Sequence, residues 1–291
     1  MTHELIKKNI DEYINEMPSL PISVQKVMEI CGKMQVNPSE LNNVISLDPV
    51  LTGSLLKLIN SAYYGLSWHI TSLVRAVIML GINTVKNLAL STAVLATLPK
   101  NKDHSGLNME GFWRHCLCVG VTAKLLAKKQ GVEAEFVEEY FTAGLLHDIG
   151  KIPLSAVLSA DYLEAVTDAG SEQKSLYNTE NSRFNINHCI TGEMIVNAWK
   201  LNGPIADIIT YHHNVTGYSG KNSGILHNIA IANYLSSIYE VGFSGDINPE
   251  KPDNKIWEAS GVKQDIFKEL KDKVETEIKK AEIFLHISQG G

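Results

Sequence analysis

The sequence predicts an all-α protein, and three observations carry that prediction. Apolar residues recur at helical spacing along nearly the whole chain. No two runs of alternating β-branched residues are joined by an Asn-Gly or Asp-Gly turn. The prolines fall where helices would start or stop. With 291 residues, 44% of them hydrophobic and 20% charged, the chain can bury a sizeable core, so global disorder is excluded. The length allows one large domain or two lobes.

The elements follow in order. Residues 22–31 place Val24, Val27, Met28 and Cys31 on one helical face. Val50, Leu51, Leu55, Leu56, Leu58 and Ile59 form a denser, more buried helix, and Val85, Leu88, Ala89, Thr92, Ala93 and Ala96 a third. Pro99 ends that helix, and the polar stretch 100–106 reads as a linker. It divides the chain into an N-terminal lobe, 1–105, and a second lobe, 106–291. A helix starting near Phe112-Trp113 carries Val119, Thr122, Ala123, Leu126 and Ala127, and a further apolar helix ends at His147-Asp148. The polar stretch 178–187 reads as a loop. Helices over 189–199 and 204–211 follow, the second opened by Pro204. Pro38 and Pro49 stand at equivalent positions, where the missing N–H would have no partner anyway. Ile229, Ala230, Ala232, Asn233 and Ser236 mark another helix, 242–253 is a polar loop, and 262–287 reads as one charged amphipathic helix packed on the second lobe.

The formal net charge of −6 argues against a general nucleic-acid binder, which needs clustered Lys and Arg. A small anionic ligand held through metal ions stays open. Cys31, Cys116, Cys118 and Cys189 fit neither a zinc-ribbon spacing nor a disulfide framework and read as reduced thiols, with Cys116 and Cys189, beside His115 and His188, as ordinary core residues. The N-terminus turns charged at once, unlike a signal peptide. The most apolar stretch, 88–98, is far short of the ~20 residues of a membrane span. The expectation is a soluble cytoplasmic protein without membrane contact.

Five of the ten histidines stand where a metal site would use them: His115, His147, His188, His212 and His213. His147 and Asp148 point about 100° apart at a helix end and can still reach one cation, and a carboxylate has a second oxygen with which to bridge two. Three further helices offer imidazoles at or near their ends, the places where helical bundles build metal sites. Imidazole and carboxylate together suit Fe, Mn, Zn or Ni rather than Ca. His3, His69, His104 and His286 read as ordinary histidines, and His227 as a packed one.

Leu145-Leu146-His147-Asp148-Ile149-Gly150-Lys151-Ile152, with His115, His188 and His212-His213 in that order, resembles the HD superfamily of metal-dependent phosphohydrolases and its HD-GYP branch. Met17-Pro18-Ser19-Leu20-Pro21, Leu47-Asp48-Pro49-Val50-Leu51 and Leu58-Ile59-Asn60-Ser61-Ala62-Tyr63-Tyr64-Gly65 are similar to the HDOD family of bacterial signalling output domains. The resemblance covers about residues 15–240. It implies a smaller helical N-terminal lobe, an HD-like second lobe, and metal ligands at His115, His147, Asp148, His188, His212 and His213. The HD pattern ends in an Asp where this chain has Asn233, a weaker and neutral ligand. Gly217-Tyr218-Ser219 stands where the HD-GYP branch has Gly-Tyr-Pro, which speaks against cyclic di-GMP hydrolysis. Lys151 resembles the lysine that faces a substrate phosphate in that branch; its plain alternative is an exposed lysine at a helix end.

Two functions follow as expectations. One is a signal-transduction output module, weakly catalytic or non-catalytic, holding one or two divalent ions, with iron first and Mn, Zn or Ni as other options. Its partner would be a signalling protein or a small phosphorylated ligand. The other is a phosphohydrolase acting on a nucleotide or another phosphoester, with Asp148 and Lys151 as its catalytic pair.

Overall fold

The structure is a computed structural model that describes residues 2–33, 35–98 and 107–288; among them it is all-α, with no strand. The first six helices are α1 (His3–Glu16), α2 (Ile22–Cys31), α3 (Pro38–Ser46), α4 (Pro49–Ile59), α5 (Leu73–Leu80) and α6 (Ile82–Thr97). Then come α7 (Met109–Lys129), α8 (Val137–Leu146), α9 (Lys151–Leu158), α10 (Ala160–Ser171), α11 (Leu176–Phe184), α12 (His188–Ala198) and α13 (Pro204–Tyr211). A 3-10 turn at Val215–Gly217 leads to α14 (Ser223–Ile238), α15 (Asn254–Ser260), α16 (Ile266–Ala281) and α17 (Ile283–Ser288).

Local chemistry explains the starts. Pro38, Pro49 and Pro204 each open a helix, as expected. Asp48 caps α4 by accepting from the Leu51 N–H at 2.9 Å, and its other oxygen accepts from the Ser23 hydroxyl at 2.6 Å. Asn108 caps α7 and Asn187 caps α12 in the same way.

Helix α6 packs on α2, α4, α5 and α8, while α7 packs on α8, α14 and α16. Helices α7 and α8 meet at two glycines. A Cβ on Gly144 would stand 2.7 Å from the Gly120 Cα, and one on Gly120 would stand 2.7 Å from the Phe141 carbonyl oxygen. This close approach carries the end of α8, with His147 and Asp148, into the interior beside His115 of α7. Helix α1 packs against α9 and α12, the elements that hold Lys151 and His188.

Three sequence expectations need correction or placing. Residues 178–187 are not a loop: most lie in α11, which Ser175 caps by accepting from the Asn178 N–H and which ends on Asn185 with φ 54°. The tail is two helices broken at Glu282: α16 packs on α7, while α17 packs on α6 and α4 and sets Phe284 against Phe141 of α8, with ring centres 4.7 Å apart. Pro99 and the 100–106 linker lie outside the described residues. No single described helix is long and apolar enough to cross a membrane.

A buried polar cluster joins the segment after α4 to α7 and α8. Lys124 donates to Glu138 Oε2 and to the Tyr63 hydroxyl, each at 2.7 Å, and Tyr63 donates to Glu138 Oε1 at 2.8 Å. The Lys124 ammonium also lies 3.9 Å from the centre of the Tyr63 ring. Glu138→Gln strands that ammonium and is expected to lower unfolding free energy by about 3 kcal/mol. Tyr63→Phe removes two hydrogen bonds, the one donated to Glu138 and the one accepted from Lys124, but leaves the ion pair, and is expected to cost about 2 kcal/mol. Urea unfolding of the two variants checks the order, and equal midpoints would contradict it.

Candidate metal centre

Three helix ends and one long helix bring the histidines together. Ligand atoms of Asp148, His188, His212 and His213 lie within 4.8 Å of one another, and so do those of His115, His147 and Asp148. Asp148 belongs to both groups. Its side chain and those of His147, His188 and His212 are buried, and His213 stands at the edge of a cavity.

The outer hydrogen bonds decide which ring nitrogens face inward. His147 donates from Nδ1 to the Gly144 carbonyl at 2.7 Å, and His212 donates from Nδ1 to the Ile208 carbonyl at 3.0 Å. His188 donates from Nδ1 to Glu180 Oε2 at 2.6 Å, and its backbone N–H reaches the same oxygen at 2.9 Å. Tyr162 donates to Glu180 Oε1 at 2.7 Å. Each Nε2 is thereby left with a lone pair directed at the centre. His188 Nε2 and His212 Nε2 stand 3.3 Å apart, and each is 3.4 Å from Asp148 Oδ1.

Lone pairs converging in a buried space repel unless a cation sits among them. Neither Asp148 Oδ1 nor His147 Nε2 has a hydrogen-bond partner, although both are buried. The orphaned Asp148 Oδ1 and three imidazoles fit a divalent first-row ion at His188, His212, His213 and Asp148, while the orphaned His147 Nε2 belongs to the group with His115 and Asp148.

The other half of the site is different. His115 donates from Nε2 to Asn233 Oδ1 at 2.9 Å, so the amide takes up the imidazole N–H. Burial, with the His147 ring behind it, lowers the His115 pKa to about 3 and keeps the ring neutral. Lys151 is not an exposed helix-end residue: it is 2% exposed and donates to Asp148 Oδ2 at 2.6 Å. Burial alone would raise the Asp148 pKa, but His147 and Lys151 outweigh it and hold the carboxyl well below its usual range. At His188 burial works against protonation, yet the Glu180 carboxylate raises the pKa to about 10, so these surroundings favour positive charge.

Sequence reasoning missed Glu180, Tyr162 and Tyr177, the last stacked on His213 with ring centres 4.7 Å apart. It also gave no part to the 242–253 loop. That loop, with Asp246, Pro249 and Glu250, lines a cavity of about 180 Å³ that opens onto His212, His213 and Asn233. Of the cysteines, Cys116 is a buried core thiol as expected, whereas Cys189 Sγ lies 3.7 Å from His212 Nδ1. Tyr218 donates to Asp207 at 2.6 Å and lines a second surface cavity that no histidine lines. His227 is half-buried in α14.

The model of the HDOD domain family matches residues 17–215. The chain belongs to the HDOD family. A crystal structure of an HDOD domain protein of unknown function from Geobacter sulfurreducens shares the fold, with a TM-score of 0.73, 24% identity, and 97% and 98% of the two chains covered. A protein from Marinobacter aquaeolei VT8, provisionally assigned to signal transduction, superposes with a TM-score of 0.74 at 19% identity, covering 99% of this HDOD chain and 66% of its own. A provisionally assigned phosphohydrolase from Shewanella amazonensis SB2B gives 0.66 at 21% identity, over 96% and 98% of the chains. An uncharacterised Treponema pallidum (strain Nichols) protein is 25% identical over 226 residues, and this HDOD chain spans 43% of that relative's length.

Proposed function

We propose that this HDOD protein is a signal-output module with one divalent ion at Asp148, His188, His212 and His213, that its state is read by a protein partner, and that it does not hydrolyse phosphoesters. The observation that carries this is the Lys151 ammonium on Asp148 Oδ2 at 2.6 Å, both side chains buried. A hydrolase of this type uses the second carboxylate oxygen to bridge two ions and keeps a cation free to meet the phosphate. Here one contact engages both groups.

Two further features support the reading. The second ion position has Asn233 in place of a carboxylate, and its amide is engaged by His115. The cavity is lined by Asp246, Glu250 and Asp253 against a single Lys251, a balance that opposes a phosphate. When bound, the ion supplies charge that draws the four ligands together; iron or another first-row ion suits three imidazoles and a carboxylate.

Full-length protein stripped by chelation and reloaded with Fe²⁺, Mn²⁺ or Zn²⁺ is expected to bind one equivalent of metal. It is expected to turn over no phosphodiester, phosphomonoester or nucleotide faster than Asp148→Ala. Asn233→Asp is expected to raise the stoichiometry toward two. Turnover that Asp148→Ala abolishes would establish the phosphohydrolase instead.

A further inference from the structure

Asp246 has no place in the ligand set described above. It stands outside both groups of clustered ligand atoms, on the 242–253 loop, and the family match ends at residue 215, before that loop begins. Yet it lines the same cavity as His212, His213 and Asn233. Its Oδ1 is buried and without a hydrogen-bond partner. Its charge is felt at Lys151 and at Tyr162, both of which border the centre.

The charges enclosed around the histidines do not balance. Asp148 and Glu180 are fully buried, Asp246 is largely enclosed, and Lys151 is the buried ammonium among them. Three carboxylates against one ammonium leave two negative charges in a space that solvates them poorly. An imidazole that gives its Nε2 lone pair to a metal is neutral, so with the ion bound the rings, His188 included, offset none of this charge, and one divalent cation does. The missing carboxylate at Asn233 does not enter this count, because Asp246 brings a replacement from the loop.

We infer that Asp246 is the charge-compensating carboxylate of the metal centre: it stands outside the ligands, sets the site's net charge at two negative units, and so selects a single divalent cation. This rests on the one-ion reading above. Because it arrives on a loop that also covers the cavity, the ion and the loop hold each other in place. Glu250, on the same loop, is the contrast. Its carboxylate already accepts from the Ser175 hydroxyl and from the Asn178 amide.

Calorimetric titration of the chelator-stripped full chain with Zn²⁺ and Mn²⁺, together with thermal unfolding with and without metal, tests this. Asp246→Asn is expected to weaken metal binding about 10–100-fold, the range found when a group outside the ligands is lost. The same change removes a buried negative charge, so the metal-free variant is expected to unfold at or above the wild-type midpoint, while the loaded variant unfolds below loaded wild type. Glu250→Gln is expected to bind metal within a factor of two of wild type. Unchanged affinity in Asp246→Asn would overturn the inference. So would weaker binding accompanied by a lower metal-free midpoint, which would mark a merely structural residue. If wild type itself binds neither ion, the one-ion reading falls and this inference with it, whereas failure confined to Asp246→Asn leaves that reading standing.

Discussion

Gly150→Ala is expected to unseat the metal centre while leaving the helices formed. Gly150 precedes α9, and its φ of −66° suits any residue, so the effect is one of contact alone. A Cβ there would lie 1.9 Å from the His188 carbonyl oxygen, 2.5 Å from the Gly192 nitrogen and 2.8 Å from the Thr191 hydroxyl. Two of these are backbone atoms of α12 and cannot rotate away. The Thr191 hydroxyl also donates to the Gly150 carbonyl at 2.7 Å, so the two segments are bonded where they would have to part. Overpacking of this kind costs about 1–3 kcal/mol or more, and here the upper end is expected. The displacement falls on the residue that carries the His188 ring, so metal affinity should drop at least about tenfold alongside stability. Gly53→Ala, inside α4 with nothing within 4 Å of the added carbon, should instead stabilise by about 0.5–1 kcal/mol. Urea unfolding and zinc titration of both variants check this. Normal metal affinity in Gly150→Ala would show that α9 and α12 need not touch to build the site.

The helical architecture was legible because burial imposes a period on the sequence. Val24 and Val27, or Leu51, Leu55 and Leu58, are fully or almost fully buried where the spacing puts them. The candidate metal cluster was legible for a different reason. Imidazoles at the starts and ends of helices are costly to bury without a function, and His147, His188 and His212 are indeed enclosed together. Glu180 escaped because its neighbours Asn178, Asn181 and Ser182 are polar, which masks a helix whose inner face is Leu176, Thr179 and Glu180. Ser175 before it and Asn185 after it were usable cap signals. The role of 242–253 was out of reach in principle. A loop's sequence does not say which cavity it crosses, and Asp246 meets the histidines only through tertiary packing.

Lys151→Met is expected to make the fold depend on metal. The ammonium lies 2.6 Å from Asp148 Oδ2, and Asp148 is wholly buried. Methionine fills similar space but leaves that carboxylate uncompensated, with Glu180 and Asp246 adding to the repulsion because both act on the same position. Removing one member of a buried pair costs about 3–5 kcal/mol, so the metal-free variant should lose that much stability. Saturating metal should return most of it. With Lys151 gone, Asp148 Oδ2 is free, the site carries one more negative charge, and the cation binds more tightly. Each tenfold gain in affinity adds about 1.4 kcal/mol to the loaded protein at a fixed metal excess. The stabilisation conferred by zinc should therefore be larger in Lys151→Met than in wild type, which denaturation with and without the ion measures directly. A phosphate-facing lysine predicts the opposite pattern: little change in stability in either state, with the loss confined to turnover. The two roles assigned to this residue thus separate in a single pair of unfolding curves, before any substrate is known.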